Sequence, residues 1–298
     1  MVQAAPADRA SAPAADVAPV MVVATTSIGA DLARQVCSGV PGIAVGALMG
    51  PGVDPHLYRP TVRDVRALAD AQCILAHGLL LEGRMDDLWP KLERRGVTVV
   101  VLSDAQAAGD DPHIWMDASM WAAAAERVGA ALADQMPDRA GPLRAGAARV
   151  AERWRALDGQ VRKAVASIPA ERRMLVTAHD AFGHFGAAYG MDVRGVQGIS
   201  TESEAGLADL RALVGEIVAR KVPAVFRETS VPDRAIEALC ESAAAQGHPL
   251  RTAEALYSDA LGPPGSGADT YEGMMRSNVH AIVKALGGDA TLMKESGR

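Results

Sequence analysis

The hydrophobic pattern of the chain alternates between short apolar runs and longer stretches with helical spacing. An apolar run at residues 20–25 precedes Ser27, which suits the first residue of a helix that reaches about Cys37. Three further strand-like runs follow, at residues 43–48, 72–76 and 97–102, with helical patterns at residues 61–71 and 85–95 between them. Strands that alternate with helices in this way predict a parallel sheet covered by helices.

The middle of the chain interrupts this alternation, which then resumes. Residues 117–135 and 142–167 have helical patterns with no strand between them, and the second stretch could cross between two lobes. Strand-like runs return at residues 173–178, 192–196, 224–227 and 249–252, with helices expected from about Thr201 and over residues 269–286. The pattern therefore predicts an α/β fold of two lobes, each a mostly parallel sheet flanked by helices, joined by one long connecting helix.

Five segments are expected along the chain. They are a disordered leader at residues 1–19, an N-terminal α/β lobe at 20–141, the connecting helix at 142–168, a C-terminal α/β lobe at 169–290 and a tail at 291–298. The leader is rich in Ala and Pro and lacks both the basic start and the apolar core of a signal peptide. We therefore expect that a signal peptide is absent from this sequence. No apolar stretch of the sequence approaches the roughly 18 residues of a membrane-spanning helix.

Composition and charge narrow the possible functions. The 298 residues are 49% hydrophobic, which is enough for two cores, and the net charge of -6 comes without any basic block. A nucleic-acid partner is therefore not expected, whereas an acidic surface suits a cation. Cys37, Cys73 and Cys240 are odd in number and lack Cys-x-x-Cys spacing, so buried free thiols are expected, although one pair could be bridged.

Candidate metal ligands come from three histidines and one carboxylate. Asp-Pro-His occurs twice, ending at His56 and at His113, and proline holds each histidine in a stiff, non-helical turn. His179 follows the apolar run at residues 174–178, where α/β folds normally place ligands, and Asp259 follows the last strand-like run. Imidazole and carboxylate together suit a borderline divalent metal, but the spacing is so long that only tertiary folding could assemble these four side chains.

Each of these residues could instead have a purely structural role. A single histidine after a strand is more often a cap, a core residue or a surface residue than a ligand, and the repeated turn shifts that balance. Asp54 and Asp111 are expected to stabilise their own turns through hydrogen bonds to the backbone. His77 also ends a strand and is the best substitute ligand, whereas three other histidines are expected to be structural or on the surface: His184, His248 and His280.

Five segments carry a resemblance to a known family. GPGVDPHLY at residues 50–58, DPHIWMD at 111–117 and VTAHDAFGHF at 176–185 resemble the histidine segments of the TroA-like branch of the cluster A-I solute-binding proteins, which serve zinc, manganese and iron ABC importers. Residues 195–201 and 256–259 resemble two more of its segments. The resemblance runs from about residue 20 to 286 and implies two α/β lobes, a long joining helix and a metal ion held by four ligands: His56, His113, His179 and Asp259.

Some details of this sequence differ from subgroups of that family. Many manganese-specific relatives have Glu where this chain has His179, and dedicated zinc importers often carry a His-rich loop that residues 103–111 lack. The family's Glu-Ser-Ser segment appears here at residues 228–230 with a threonine in the middle. We expect Glu228 either to support the metal site from behind a ligand or to cap a neighbouring turn.

The expected function is binding and not catalysis. The resemblance implies a periplasmic or otherwise extracytoplasmic monomer that captures a divalent transition metal and delivers it to the membrane permease of an ABC importer. A set of three imidazoles and one carboxylate favours Zn²⁺ first and Mn²⁺ second, with Fe²⁺ as a further alternative. Two rival functions are a mononuclear metal-dependent hydrolase, which lacks any His-Glu-x-x-His signature here, and an adhesive module with a structural metal.

Overall fold

A four-stranded parallel sheet forms the N-terminal lobe in the computed structural model, which describes residues 18–103, 110–204 and 206–293. Its strands stand in the order β2-β1-β3-β4, so that Val22 on β1 pairs with Val45 on one side and Cys73 on the other. The strands are β1 (Val20–Ala24), β2 (Ile43–Ala47), β3 (Cys73–Ala76) and β4 (Thr98–Val101). Three helices flank this sheet: α1 (Ser27–Val36), α2 (Val62–Asp70) and α3 (Trp89–Glu93).

Two long helices follow the first sheet. They are α4 (Ala118–Gln135) and α5 (Ala140–Ala166), and Asp117 caps α4 by accepting the backbone N–H of Ser119 at 2.8 Å. At about 1.5 Å per residue, the 27 residues of α5 extend over about 40 Å. Ala and Arg are the commonest residues of α5, and both have high helix propensity, so the sequence itself favours one continuous helix.

The C-terminal lobe repeats the α/β organisation with shorter strands. β5 (Met174–Thr177) pairs in parallel with β6 (Asp192–Gly195), and β7 (Ala224–Val225) pairs in parallel with β8 (Arg251–Thr252). The two pairs meet where the backbone N–H of Phe226 donates to the carbonyl of Val176 at 2.9 Å. Four helices complete this lobe: α6 (Gly183–Tyr189), α7 (Leu207–Arg220), α8 (Arg234–Ala245) and α9 (Tyr271–Leu286).

Strands β1 and β5 each point side chains into cores on both faces, and one face of each belongs to the same core. On β1, Val22 points into a central core that also contains α4, α5 and α9, whereas Val23 points into a smaller core on the other face. On β5, Leu175 joins that same central core and Val176 joins the outer core of its own lobe. Strands buried on both faces read as continuous apolar runs, which is the pattern seen in the sequence. The shared core joins the two lobes.

Most of the predicted architecture is confirmed, since the fold has two α/β lobes with parallel sheets and a long joining helix. The division of the chain into five segments stays a prediction, and its leader and tail lie largely outside the described residues, at 1–17 and 294–298. Cys37, Cys73 and Cys240 are all free. None of the helices that the structure describes is both long and apolar enough to cross a membrane.

Three local predictions are wrong. Thr26, and not Ser27, caps α1, because its hydroxyl accepts the N–H of Gly29 while Ser27 Oγ accepts the N–H of Leu261. The helix expected over residues 85–95 is divided into a 3₁₀ turn at Gly83–Leu88 and the short α3. The helix expected from Thr201 begins only at Leu207, because the Thr201 hydroxyl bonds to a distant carboxylate and does not cap.

Close packing of α5 against α1 depends on the absence of a side chain at Gly146. A Cβ at that position would overlap the carbonyl oxygen of Val36, a rigid backbone atom, so Gly146→Ala should destabilise the protein by about 1–3 kcal/mol. Gly159 lies on the same helix with open space where a methyl group would project, so Gly159→Ala should be neutral or stabilise by about 0.5–1 kcal/mol. Chemical denaturation measures both substitutions, and equal effects of the two would contradict this explanation of the packing.

Candidate metal centre

Four side chains converge where strands of the two lobes end. His56 lies in the turn segment that follows β2, and His113 lies beyond the end of β4. His179 comes two residues after β5, and Asp259 follows β8. The carboxyl ends of strands in open α/β sheets are the usual place for a ligand site. Two of the side chains therefore come from each lobe, and the structure brings together all four predicted ligands.

The two Asp-Pro-His turns share one hydrogen bond between side chain and backbone. Asp54 Oδ1 accepts the backbone N–H of His56 at 2.9 Å, and Asp111 Oδ1 accepts the backbone N–H of His113 at 3.0 Å. The predicted role of both aspartates in stabilising their turns is confirmed. Each turn fixes the backbone from which its imidazole projects.

The donor atoms lie at distances that suit one small cation. One ligand atom from each of His56, His113, His179 and Asp259 can be chosen so that all four lie within 4.8 Å of one another. His56 Nε2 is 3.3 Å from His113 Nε2, and Asp259 carboxylate oxygens lie 3.4 Å from the Nε2 atoms of His113 and His179. Bonds of about 2.0–2.1 Å to a tetrahedral zinc ion would separate neighbouring donors by about 3.3 Å. The three separations given above match that value, and the four donor atoms together lie within 4.8 Å.

Two of the imidazoles are held from behind by carboxylates. His113 Nδ1 lies 2.6 Å from Asp111 Oδ1, and His179 Nδ1 lies 2.6 Å from Glu228 Oε2. The other oxygen of Glu228 accepts the backbone N–H of His179 at 2.8 Å. A carboxylate beside Nδ1 favours the proton on that nitrogen and leaves Nε2 bare as a donor. Glu228 therefore contacts a candidate ligand directly, which is the first of its two predicted roles.

Unpartnered buried polar atoms show that the centre suits a cation. His179 Nε2 and Asp259 Oδ1 are buried side-chain atoms without a hydrogen-bond partner in the described part of the chain, and the approach of His179 Nδ1 to Glu228 Oε2 is a close contact without hydrogen-bond geometry. Buried polar groups are nearly always paired, because leaving them unpaired costs free energy. Ser230 Oγ donates to the second carboxylate oxygen, Asp259 Oδ2, at 3.0 Å and orients it. A cation between the donors would satisfy both unpartnered atoms.

The pKa values of the cluster reflect one carboxylate among three imidazoles. Burial lowers the pKa of His56 to about 4. Burial also opposes protonation of His179, but Asp259 and Glu228 overcome it and hold the pKa of His179 well above its ordinary value. The pKa of Asp259 lies well below its ordinary value despite its burial, because His179 and His113 stabilise the carboxylate. The cluster thus favours positive charge at its centre, whether from protons or from a metal ion.

Of the four candidate ligands in the described part of the chain, His56 is the one that lines a cavity. His56 lines a cavity of about 680 Å³ whose wall also includes Leu80 and Asp87 from the N-terminal lobe and Ser200 and Glu202 from the C-terminal lobe. His113 and His179 are fully buried, and Asp259 is 1% exposed. An ion that enters from this cavity therefore meets His56 first.

Other residues prove either unrelated to the cluster or unforeseen. His77, the predicted substitute ligand, is fully buried but lies outside the four-residue cluster, with its Nε2 2.8 Å from Thr26 Oγ1.

Trp115 was not predicted from the sequence to support the site, although it stands two residues after His113 in the DPHIWMD segment. Its indole N–H donates to the carbonyl of Ser258 at 2.7 Å, which links the His113 turn to the residue before Asp259.

Comparison with known proteins identifies the family. Residues 22–285 match the profile of the family described as ZnuA, zinc-uptake complex component A, periplasmic. The chain belongs to this family. The ZnuA match covers both lobes and all four candidate ligands.

Individual relatives differ in the metal that their names mention. The manganese-binding lipoprotein MntA of Bacillus subtilis is 40% identical over 274 residues, which cover 89% of each chain. The zinc-binding protein TroA of Treponema pallidum is 40% identical over 275 residues, covering 89% of this chain and 88% of TroA. A solved structure of TroA superposes with a TM-score of 0.85 at 39% identity, covering 90% of this chain and 99% of the other. An Fe(III)-bound structure of YtgA from Chlamydia trachomatis has a TM-score of 0.79 at 25% identity, covering 91% and 99%.

Membership of the ZnuA family settles the class of function. The chain is a metal-binding, solute-binding protein of the ABC metal importer type. MntA and TroA are named as metal-binding proteins and lend no support to the hydrolase alternative.

Glu228 offers a direct test of how His179 is oriented. In Glu228→Gln an amide N–H could face His179 Nδ1, which would favour the tautomer whose proton sits on Nε2 and blocks that donor. We expect metal affinity to fall by about 10–100-fold. Glu241→Gln removes an exposed carboxylate from α8 in the same lobe and should leave the affinity unchanged. Competitive titration measures both, and wild-type affinity in Glu228→Gln would contradict the orienting role.

Proposed function

We propose that this protein captures one zinc ion outside the cytoplasm through His56, His113, His179 and Asp259 and delivers it to the membrane permease of an ABC importer. The observation that carries the proposal is the convergence of three imidazole nitrogens and one carboxylate within 4.8 Å. These side chains come from both lobes, so a bound ion would also hold the lobes together. The permease and the monomeric state are parts of the proposal that follow from the family resemblance.

The choice of zinc follows from the donor set. Three nitrogens and one carboxylate suit a borderline cation with four ligands, whereas Mn²⁺ prefers oxygen donors and a higher coordination number. For a given site of this type, affinity rises from Mn²⁺ through Fe²⁺ to the later metals, so Zn²⁺ is expected to bind more tightly than Mn²⁺ or Fe²⁺. We place zinc first on this ground, and manganese second because MntA, named for manganese, is as similar to this chain as TroA, named for zinc. Fe²⁺ is a further alternative.

These residues support metal binding and not hydrolysis. A hydrolytic zinc site keeps one coordination position open for water, usually beside a general base. Here four protein donors surround the centre, and the nearby carboxylates of Asp111 and Glu228 each lie against a histidine Nδ1. Their positions suit them to orient ligands. The metal ion is therefore the transported ligand. The protein replaces the water ligands of the ion on binding and later releases it.

Metal titration tests this function directly. Protein stripped of metal should bind one Zn²⁺ per chain in competition with a chromophoric chelator, and Mn²⁺ should bind more weakly. His179→Gln removes one donor and should lower zinc affinity by more than about 100-fold, or about 2.7 kcal/mol. His280→Gln alters a histidine on α9, away from the cluster, and should bind as the wild type does. Absence of zinc binding by the wild-type protein would overturn the proposal.

The affinity for zinc should fall as the pH is lowered. The pKa values of His113 and His179 are raised, so both rings hold a proton at a higher pH than ordinary histidines, and a metal ion must displace it. His56 competes less, since its pKa is lowered to about 4. Lowering the pH from about 7.5 to about 5.5 should therefore weaken binding by more than about tenfold. Equal affinities in isothermal titrations at the two pH values would contradict proton competition at these ligands.

A further inference from the structure

His56 is held differently from the other two histidines of the cluster. His113 and His179 each have a carboxylate oxygen 2.6 Å from Nδ1, and both are fully buried. Among the residues that the structure describes, no carboxylate forms an ion pair with the ring of His56, which is 5% exposed and faces the cavity. Within the described part of the chain, the ring of His56 thus differs from the other two in having no carboxylate against it, and its Nε2 lies 3.3 Å from Nε2 of the neighbouring His113.

The two Asp-Pro-His turns differ in what their aspartates bind. Asp111 Oδ1 accepts the backbone N–H of His113 and also lies against the ring of the same histidine. Asp54 Oδ1 accepts the backbone N–H of His56, but its second oxygen accepts the hydroxyl of Thr201 at 2.7 Å. Thr201 stands 147 residues away, in the C-terminal lobe. The turn that carries His56 is thus fastened to the opposite lobe through Asp54.

Other contacts place this bond at the mouth of the cavity. Gly52, with φ of 72°, brings the same turn close to the C-terminal lobe, and a Cβ on it would lie 3.7 Å from the carbonyl oxygen of Thr229. Ser200 and Glu202, the neighbours of Thr201, line the cavity together with His56. Movement of residues 200–202 away from the N-terminal lobe would widen the cavity and break the bond between Asp54 and Thr201 in one step.

We propose that Asp54 and Thr201 form a latch between the lobes that positions His56, and that opening of this latch releases His56 from the ion before the other ligands. This inference rests on the proposed function, because it concerns how the ion of that same site leaves. Asp54 and Thr201 are positioning residues that do not touch the ion. His113, His179 and Asp259 then form the part of the site that keeps its geometry, and the ion departs through the cavity on the His56 side.

Removal of the Thr201 hydroxyl tests the latch. Thr201→Val keeps the shape of the side chain but cannot donate to Asp54, whereas Thr201→Ser keeps the hydroxyl. Stopped-flow transfer of Zn²⁺ to an excess of chelator should be about tenfold faster from Thr201→Val than from the wild type, the effect of one hydrogen bond to a charged group. Thr201→Ser should restore slow release. Thermal unfolding of the metal-free protein, which loses the same hydrogen bond in Thr201→Val, measures the general loss of stability, and Thr201→Ser should unfold as the wild type does.

A second variant separates the latch from general loosening of the site. In a His56→Gln background, Thr201→Val should cause no further acceleration of Zn²⁺ release, because the latch acts only through His56. The absorption of bound Co²⁺ should weaken or shift in Thr201→Val towards the spectrum of His56→Gln. Wild-type release rates in Thr201→Val, or equal acceleration with and without His56, would overturn the latch. Failure of the wild-type protein to bind Zn²⁺ or Co²⁺ at all would instead overturn the proposed function.

Discussion

The site depends on one buried charge, the carboxylate of Asp259. A carboxylate removed from water is costly unless other groups compensate it. Here the compensation comes from His113 in one lobe and His179 in the other, each with Nε2 3.4 Å from a carboxylate oxygen, and from the hydroxyl of Ser230. Because neither lobe supplies all of these groups, the carboxylate is stable only where the lobes meet. A divalent cation at the same point would compensate it better than any of them.

The shared core fixes the distances between these groups. One face of each sheet packs into the central core with α4, α5 and α9, so the ends of the strands in the two lobes cannot move independently over large distances. Trp115 ties this core to the site, because its indole N–H donates to Ser258 while its carbonyl accepts the hydroxyl of Tyr271 at 2.9 Å. Packing of large buried side chains thus sets the distance between ligands from different lobes.

Binding and release place opposite demands on such a site. Rigid imidazoles that contact a carboxylate, such as those of His113 and His179, favour tight binding. Their side chains are already ordered, so they lose little conformational entropy when the ion binds. A protein that must return its cargo also needs a ligand that can leave. His56 faces the cavity, and no carboxylate of the described residues is paired with its ring, so it has the properties of that ligand. The difference between the histidines arises from their surroundings and not from their residue type.

Much of this organisation can be predicted from the sequence, because it depends on local physics. Apolar runs that alternate with helical stretches define the parallel sheets and α5, and the Asp-Pro-His tripeptides define two stiff turns through their own proline and aspartate. Contacts between distant segments escape such reasoning. The bond from Thr201 to Asp54 and the bond from Trp115 to Ser258 join residues whose local patterns carry no trace of one another. Only the tertiary structure decided them, because burial and distance between lobes are properties of the folded chain.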